Sequence, residues 1–370
     1  MATINNIINV NSSWSKDIVS PALTQASIKV WIYSGEQGVS AISGVELIAS
    51  NGRLLNPTYS LSGTAISYDS TSAISFEISP LIKDYLESNL ANDTYNSDNA
   101  IWVDIQVTST INAIETISAS EHYLALDGYE YTIQDSTDDV DNVIRMSNRK
   151  IQYLKDSGLK VPVLRQGMVS YYFKKDGVTL VSGVVADFAD SDLSDEQLIY
   201  LENSVDGINY LEVDSLEITY DNGFDIITLS QVEECKYQPR KLTFVNKFGA
   251  FQDVWMFKNA DRTLEVKKDT WNRRNPIIGS SINRPNTLVG IQTINEKITL
   301  NSGFYSEDEN VIFEELMQSK NVWMWSLDST PRAQAILIKD GSFNFKDSVT
   351  EKVINYTLNI EYAFSKIKAL

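Results

Sequence analysis

Hydrophobic and polar positions alternate along most of this chain, the signature of β-strands that bury one face. In Ser27–Tyr33, Ile28, Val30 and Ile32 fall on one side and Lys29, Trp31 and Tyr33 on the other. Ile101, Val103, Ile105 and Val107 alternate in the same way with Trp102, Asp104, Gln106 and Thr108. The clearest run is 352–362, where Ile354, Tyr356, Leu358, Ile360 and Tyr362 alternate with Val353, Asn355, Thr357, Asn359 and Glu361. Shorter strands are predicted at 45–48, 74–78, 122–126, 169–174 and 178–186. A close series follows at 241–246, 253–258, 262–268, 291–300, 322–327 and 333–339.

A helical period breaks the series in few places. Ser79 suits an N-cap and Pro80 a first helical position, and Leu81, Ile82, Tyr85 and Leu86 form one apolar stripe. Val140, Val143, Ile144, Ile151 and Leu154 predict a helix over 140–156, closed by Gly158 and Pro162. Ser306 and Glu309 form a capping box before Val311, Ile312, Leu316 and Met317, which predicts a helix near 306–319. A capping box at Ser194–Gln197 precedes Leu198, Ile199 and Leu201, a run that suits a short helix or a strand. Asp176-Gly177, Asp206-Gly207 and Asp221-Asn222-Gly223 are hairpin turn signals.

These elements predict a mainly β protein with two or three β-sandwich-like domains and a few short helices. The expected regions are 1–135, an acidic sandwich-like domain, and 136–235, a linker helix with a small antiparallel unit. The third is 236–370, a mildly basic β domain with one helix. Aromatic, Ile, Val and Thr residues are plentiful, which favours pleated surfaces.

Charge changes the picture more than composition does. Residues 1–145 carry 5 Lys/Arg and 18 Asp/Glu, residues 146–235 carry 7 and 16, and residues 236–370 carry 19 and 15. An acidic front and a mildly basic back suit subunits that meet front to back, because opposite potentials steer and orient association. No apolar run reaches the ~20 residues a membrane helix needs. The first residues lack a basic stretch followed by an apolar one, so no signal peptide is expected. The single cysteine, Cys235, rules out an internal disulfide and fits a reducing compartment.

Catalytic motifs are sparse. The one histidine, His122, sits in a strand context with no local nucleophile or carboxylate marking a triad. Cys235 follows Glu233 and Glu234, whose charges disfavour a thiolate. One histidine and one cysteine cannot build a zinc site of the usual kind. The acidic runs Asp187–Glu196 and Asp135–Asp141 lack the glycine and glutamate of an EF-hand loop. No phosphate-binding glycine loop and no nucleophile-elbow motif occurs. No cofactor and no metal are expected.

The candidate interface is therefore aromatic and basic. Trp255 and Phe257, and Trp323 and Trp325, lie in predicted strands, where alternate residues face opposite sides. Either domain packing or a partner subunit must cover these rings. Arg262, Lys267, Lys268, Arg273, Arg274 and Arg284 form the densest basic patch, with Trp271 among them. Asp261, Glu265 and Asp269 interrupt it, which disfavours nucleic acid.

Three stretches carry a resemblance. They are Ser27–Tyr33 with Phe76–Leu86, then Tyr237–Trp255, and the end Asn355–Phe364. Together they resemble virion structural proteins of tailed bacteriophages of Bacteroidetes, including crAss-like phages. The resemblance implies a subunit of the tail, baseplate or neck, and it carries no catalytic residues across. The expected function is thus a non-enzymatic virion subunit. Its partners would be copies of itself, in a ring or layer, and neighbouring virion proteins. A carbohydrate- or receptor-binding module of a tail fibre is the alternative, with a glycan hydrolase behind it. The former would need an exposed Trp102, Trp255 or Trp323, and the latter paired carboxylates in a cleft.

Overall fold

The computed structural model describes residues 6–9, 14–16, 23–33, 53–62, 74–76, 86, 90, 95, 100–111, 114–128, 143–164, 169–185, 198–204, 209–220, 223–272, 287–327, 330–340, 353–364 and 366–368. Side chains are described for Leu86, Leu90 and Tyr95 and for these residues from Ala125 onward, save 353, 354 and 366–368. The protein is mainly β, built from several sheets. It divides into two compact units. The first is Met1–Ile151, Asp156–Gln231 and Phe244–Gln252; the second is Gln152–Lys155, Val232–Thr243 and Asp253–Leu370. The expected regions 1–135 and 136–235 both fall almost wholly within the first unit, and the expected boundary at 235 lies close to Val232.

The first unit begins with β1 (Asn6–Asn9), β2 (Trp14–Lys16), β3 (Leu23–Tyr33), β4 (Arg53–Ser62), β5 (Ile74–Phe76), β6 (Ala100–Ile111) and β7 (Ile114–Leu126). Five of them form one sheet in the order β1-β7-β6-β3-β4, with β1 parallel to β7. The two strongest alternating segments are neighbours in it. Ile28 is registered with Val107, Val30 with Ile105 and Ile32 with Val103, so the apolar sets coincide across the ladder. β2 pairs with β5. The helix expected over 79–87 lies outside the described residues apart from Leu86, which is buried. So does the strand expected at 45–48.

The chain continues through β8 (Lys150–Leu154), β9 (Lys160–Leu164), β10 (Val169–Lys175), β11 (Val178–Val185), β12 (Leu198–Glu202), β13 (Ser215–Tyr220) and β14 (Gly223–Val232). Five of these form a sheet in the order β11-β10-β13-β14-β8, and β9 pairs with β12. The helix expected over 140–156 is not formed. Lys150–Leu154 is a strand with Ile151 and Tyr153 buried, a period of two set by Tyr153, which the helical stripe had left out. Ile144 makes an isolated bridge to Val163. Pro162 is inside β9; its carbonyl accepts from Arg145 N–H (3.0 Å) on the edge away from β12, so its missing N–H takes no bond from the β9–β12 ladder. Leu198–Glu202 resolves as a strand. The Asp176-Gly177 hairpin forms, with both residues at positive φ (49° and 76°), the type I′ geometry that matches strand twist. β13 and β14 pair up to Tyr220 and Gly223; Asp221 and Asn222, like Asp206 and Gly207, lie outside the described residues.

The interior side of this sheet is Val169, Phe173, Leu216, Ile218, Ile227 and Leu229, all buried. Behind it, Asn246 satisfies the hairpin that returns to this unit. Its carbonyl accepts from the N–H groups of Phe248 and Ala250 (3.1 and 3.0 Å), and its amide donates to Arg145 C=O (2.7 Å) and Gln252 Oε1 (3.0 Å). Tyr95 stacks on Tyr200 with ring centroids 4.9 Å apart, and Lys160 lies 4.2 Å over the Tyr95 ring.

The second unit holds β15 (Arg240–Val245) as far as Thr243, β16 (Phe251–Met256) from Asp253, β17 (Ala260–Asn272), β18 (Thr287–Ser306), a 3-10 turn (Glu307–Glu309), α1 (Asn310–Gln318), β19 (Val322–Trp325), β20 (Ala333–Ile338), β21 (Val353–Tyr362) and β22 (Lys366–Lys368). The predicted strands of this region are all present, and β17 and β18 run longer than their alternation suggested. The sheet order is β16-β15-β19-β20-β21-β18-β17, with β22 also on β18. Phe257 and Lys258, which continue β16, donate to Ser302 and Asn301 C=O at 3.1 Å each. The β16 edge of the sheet therefore meets β18 just past its last pair with β17, and the sheet rolls into a barrel. The helix forms as its capping box predicts: the Glu309 carboxylate accepts from Ser306 N–H (2.8 Å) and Oγ (2.9 Å). Its Phe313 packs between Tyr305 (5.0 Å) and Tyr356 (4.7 Å). Burying a ring of this size contributes about 2–3 kcal/mol. These three rings fill the barrel end where β18 finishes and β21 begins.

Candidate functional site

The opposite end of the barrel is open. Along each strand the inward row is apolar until its last position, where a polar residue appears. Arg240 precedes Leu242 and Phe244 on β15, and Gln334 precedes Ile336 and Ile338 on β20. Glu296 precedes Ile298 and Leu300 on β18, and Tyr362 follows Leu358 and Ile360 on β21. Because side chains alternate, each of these polar groups must point into the same mouth. The mouth is a cleft of about 530 Å³ lined by Arg240, Arg262, Glu296, Gln334, Tyr362 and Phe364, with Ala260, Ile298, Ser326 and Leu327.

Its electrostatics are asymmetric. Arg262 grips Glu296 with two parallel bonds, Nε to Oε1 at 2.5 Å and Nη2 to Oε2 at 2.8 Å. Arg240 stands nearby without a hydrogen bond or ion pair among the described residues, and its Nε is buried with no acceptor. Burial lowers the proton affinity of Arg240, and the neighbouring charge of Arg262 lowers it further, while Tyr362 and Glu296 oppose this. A guanidinium remains charged through such shifts. Burial likewise raises the Tyr362 phenol, helped by the Glu296 charge, so it stays a neutral donor. Two guanidinium groups thus face one carboxylate. Phe364 and Leu327 form an apolar rim, 50% and 44% exposed, and Tyr362 packs 5.4 Å from Phe364. Chemically, this arrangement can hold an anion beside an apolar body.

The residues expected at an interface lie elsewhere, Arg262 excepted. Phe257 is 2% exposed and packs on Tyr305; Trp255 is half-buried and stacks on Phe257 at 6.4 Å. Trp323 is 9% exposed. Trp325 donates its indole N–H to Thr243 Oγ1 (2.8 Å) and lies under Lys241 Nζ (4.1 Å). Packing within the unit covers these rings, so they form no open aromatic platform. Lys267 and Lys268 are exposed on β17, and Arg273 and Arg274 lie outside the described residues. The acidic runs 187–196 and 135–141 also lie outside them. His122 is registered opposite Asp104 in the backbone ladder. Cys235 is exposed. No group of three or more His, Cys, Asp or Glu residues is placed to hold a metal among the described residues. No helix among them is long and apolar enough to cross a membrane.

A second feature is surface apolarity. In the β10–β14 sheet the register puts Val184, Ser170, Thr219 and Phe224 in one cross-strand row and Ser182, Tyr172, Glu217 and Ile226 in the next. These rows lie on the face away from Phe173, Leu216 and Ile227. Val184, Phe224 and Ile226 are 63%, 64% and 51% exposed on it. Val178 and Leu180, past the bulge at Phe173/Lys174, are exposed as well.

No protein-family model matches the chain, and no curated protein does. Among solved structures, extracellular domains 3–5 of Drosophila OTK align over 80% of this chain and 91% of that one, at 11% identity and a TM-score of 0.21.

Proposed function

We propose that this chain is a structural subunit that works by assembling with other protein subunits, in the tail, baseplate or neck of a tailed phage virion. The observation that carries the assembly reading is the outer face of the β10–β14 sheet. Large apolar side chains on an exposed, flat sheet face mark a surface that another protein covers. Val184, Phe224 and Ile226 stand there more than half exposed, around the Lys174–Glu217 ion pair. The charge imbalance between the first 145 residues and the last 135 supports a front-to-back arrangement, the heterologous contact that closes into a ring. The phage setting rests on the sequence resemblance alone.

The test is a paired charge substitution on that face, Phe224→Lys with Ile226→Glu, followed by sedimentation velocity. The assembly reading expects the double variant to remain folded and to sediment as a smaller species than the wild type. Equal sedimentation of the two proteins as oligomers would remove this face from the interface.

A further inference from the structure

We infer that the open mouth of the second unit's barrel is a binding site for a carboxylate carried on an apolar or aromatic body, with Arg240 as its principal ligand. The charge balance is the first support. Arg262 takes both oxygens of Glu296 in a bidentate pair, which leaves two guanidinium charges against one carboxylate in the same cleft. The second is hydrogen bonding. A buried guanidinium N–H without an acceptor is costly in a folded protein, and a bound anion removes that cost. Arg240 Nε is such a group. The third is shape. A cleft of about 530 Å³ falls within the usual range of ligand sites, ~300–1,000 Å³, and barrel mouths are recurrent places for them.

The remaining lining fixes the class of ligand. A guanidinium presents a planar fork that matches a carboxylate, and Gln334 and Tyr362 add neutral donors nearby. Glu296 repels a highly charged phosphate cluster more than a single carboxylate. Phe364 and Leu327, exposed at the rim, offer cover to an apolar or aromatic group attached to the acid. A site of this kind operates in a monomer or an assembly alike. The carboxylate can arrive free or as an aspartate or glutamate of a polypeptide.

The experiment follows the Arg240 Nε–H resonance in the full chain labelled with [15N]arginine, assigned by its loss in Arg240→Lys. The probes are 3-phenylpropionate, its uncharged analogue 3-phenylpropanol, and a decapeptide of alternating glutamate and valine. The expected result is a saturable shift with 3-phenylpropionate and none with 3-phenylpropanol. Arg240→Gln should weaken binding about tenfold or more, the scale of one lost hydrogen bond to a charged group. Glu296→Gln should strengthen it, because Arg262 is then released to the ligand. Tighter binding of the peptide than of 3-phenylpropionate assigns the site to a polypeptide carboxylate, and weaker binding assigns it to a free one. No saturable shift with either carboxylate, or equal binding of the alcohol, overturns the inference.

Discussion

Trp271 lies across Gly290: a β-carbon placed on Gly290 would stand 2.1 Å from Cζ3 of the indole. The two residues are diagonal neighbours on the β17–β18 ladder, since Trp271 is registered with Leu288. The ring covers the backbone that a glycine leaves bare, and it is itself 52% exposed. Gly290→Ala is therefore expected to displace the indole and cost about 1 kcal/mol or more by overpacking. Trp271→Ala should uncover the same backbone. Both variants should speed amide hydrogen exchange at 287–291 and 268–272 while leaving β21 unchanged. Unchanged exchange in this ribbon would mean that the ring contributes nothing to it.

Asn246 uses both donors and its acceptor within the first unit, bonding Phe248, Ala250, Arg145 and Gln252. Asn246 is fully buried, so its partners have no water to turn to. Asn246→Ala is expected to cost about 3 kcal/mol, because stranded buried groups cost ~1–3 kcal/mol each and their losses are not additive. Urea unfolding of the variant checks this. A loss near zero would mean that the hairpin rearranges to satisfy itself.

The Asp176-Gly177 turn is linked to Asp214, whose Oδ2 accepts the Asp176 N–H at 2.6 Å. That bond, first, and the Ser215 hydroxyl hold the Asp214 carboxyl below its ordinary value. A carboxyl whose pKa is lowered on folding stabilises the fold above its unfolded pKa, about 4, and loses that contribution as pH falls through the lowered value. Asp214→Asn should therefore be less stable than the wild type at pH 7, with the gap closing on acidification. Urea midpoints at neutral and strongly acid pH test this, and a gap independent of pH would contradict it.

The turn needs positive φ at both central residues, and Gly177 sits at 76° with open space around it. Gly177→Ala should thus destabilise through backbone conformation alone, by about 1 kcal/mol. Asn at the same position tolerates the left-handed region and should recover part of the loss. Thermal melts of the two variants decide the matter.

The strands were legible wherever alternation was strict, as in β3, β6 and β21, because one buried face imposes a period of two on the sequence. The helix after Ser306 was legible through its capping box. The segment around 140–156 misled because Val143, Ile144, Ile151 and Leu154 fit a helical spacing when Tyr153 is set aside. Tyr153 is in fact fully covered and dictates a strand. The aromatic clusters were visible, yet whether their outward rings are covered depends on long-range neighbours such as Thr243 for Trp325. The barrel mouth leaves a weaker signal in the sequence. Arg240, Gln334, Glu296 and Tyr362 each end an inward apolar row, but only the rolled sheet brings the four together.

The central claim is assembly, and the mass of the purified chain in solution tests it most directly. Light scattering should be recorded across concentration and salt, against a monomer mass of 41.6 kDa. The account predicts a discrete oligomer that responds to salt, since opposed charges are screened beyond ~8–10 Å at ordinary ionic strength. A monomer at every concentration and salt would contradict self-assembly.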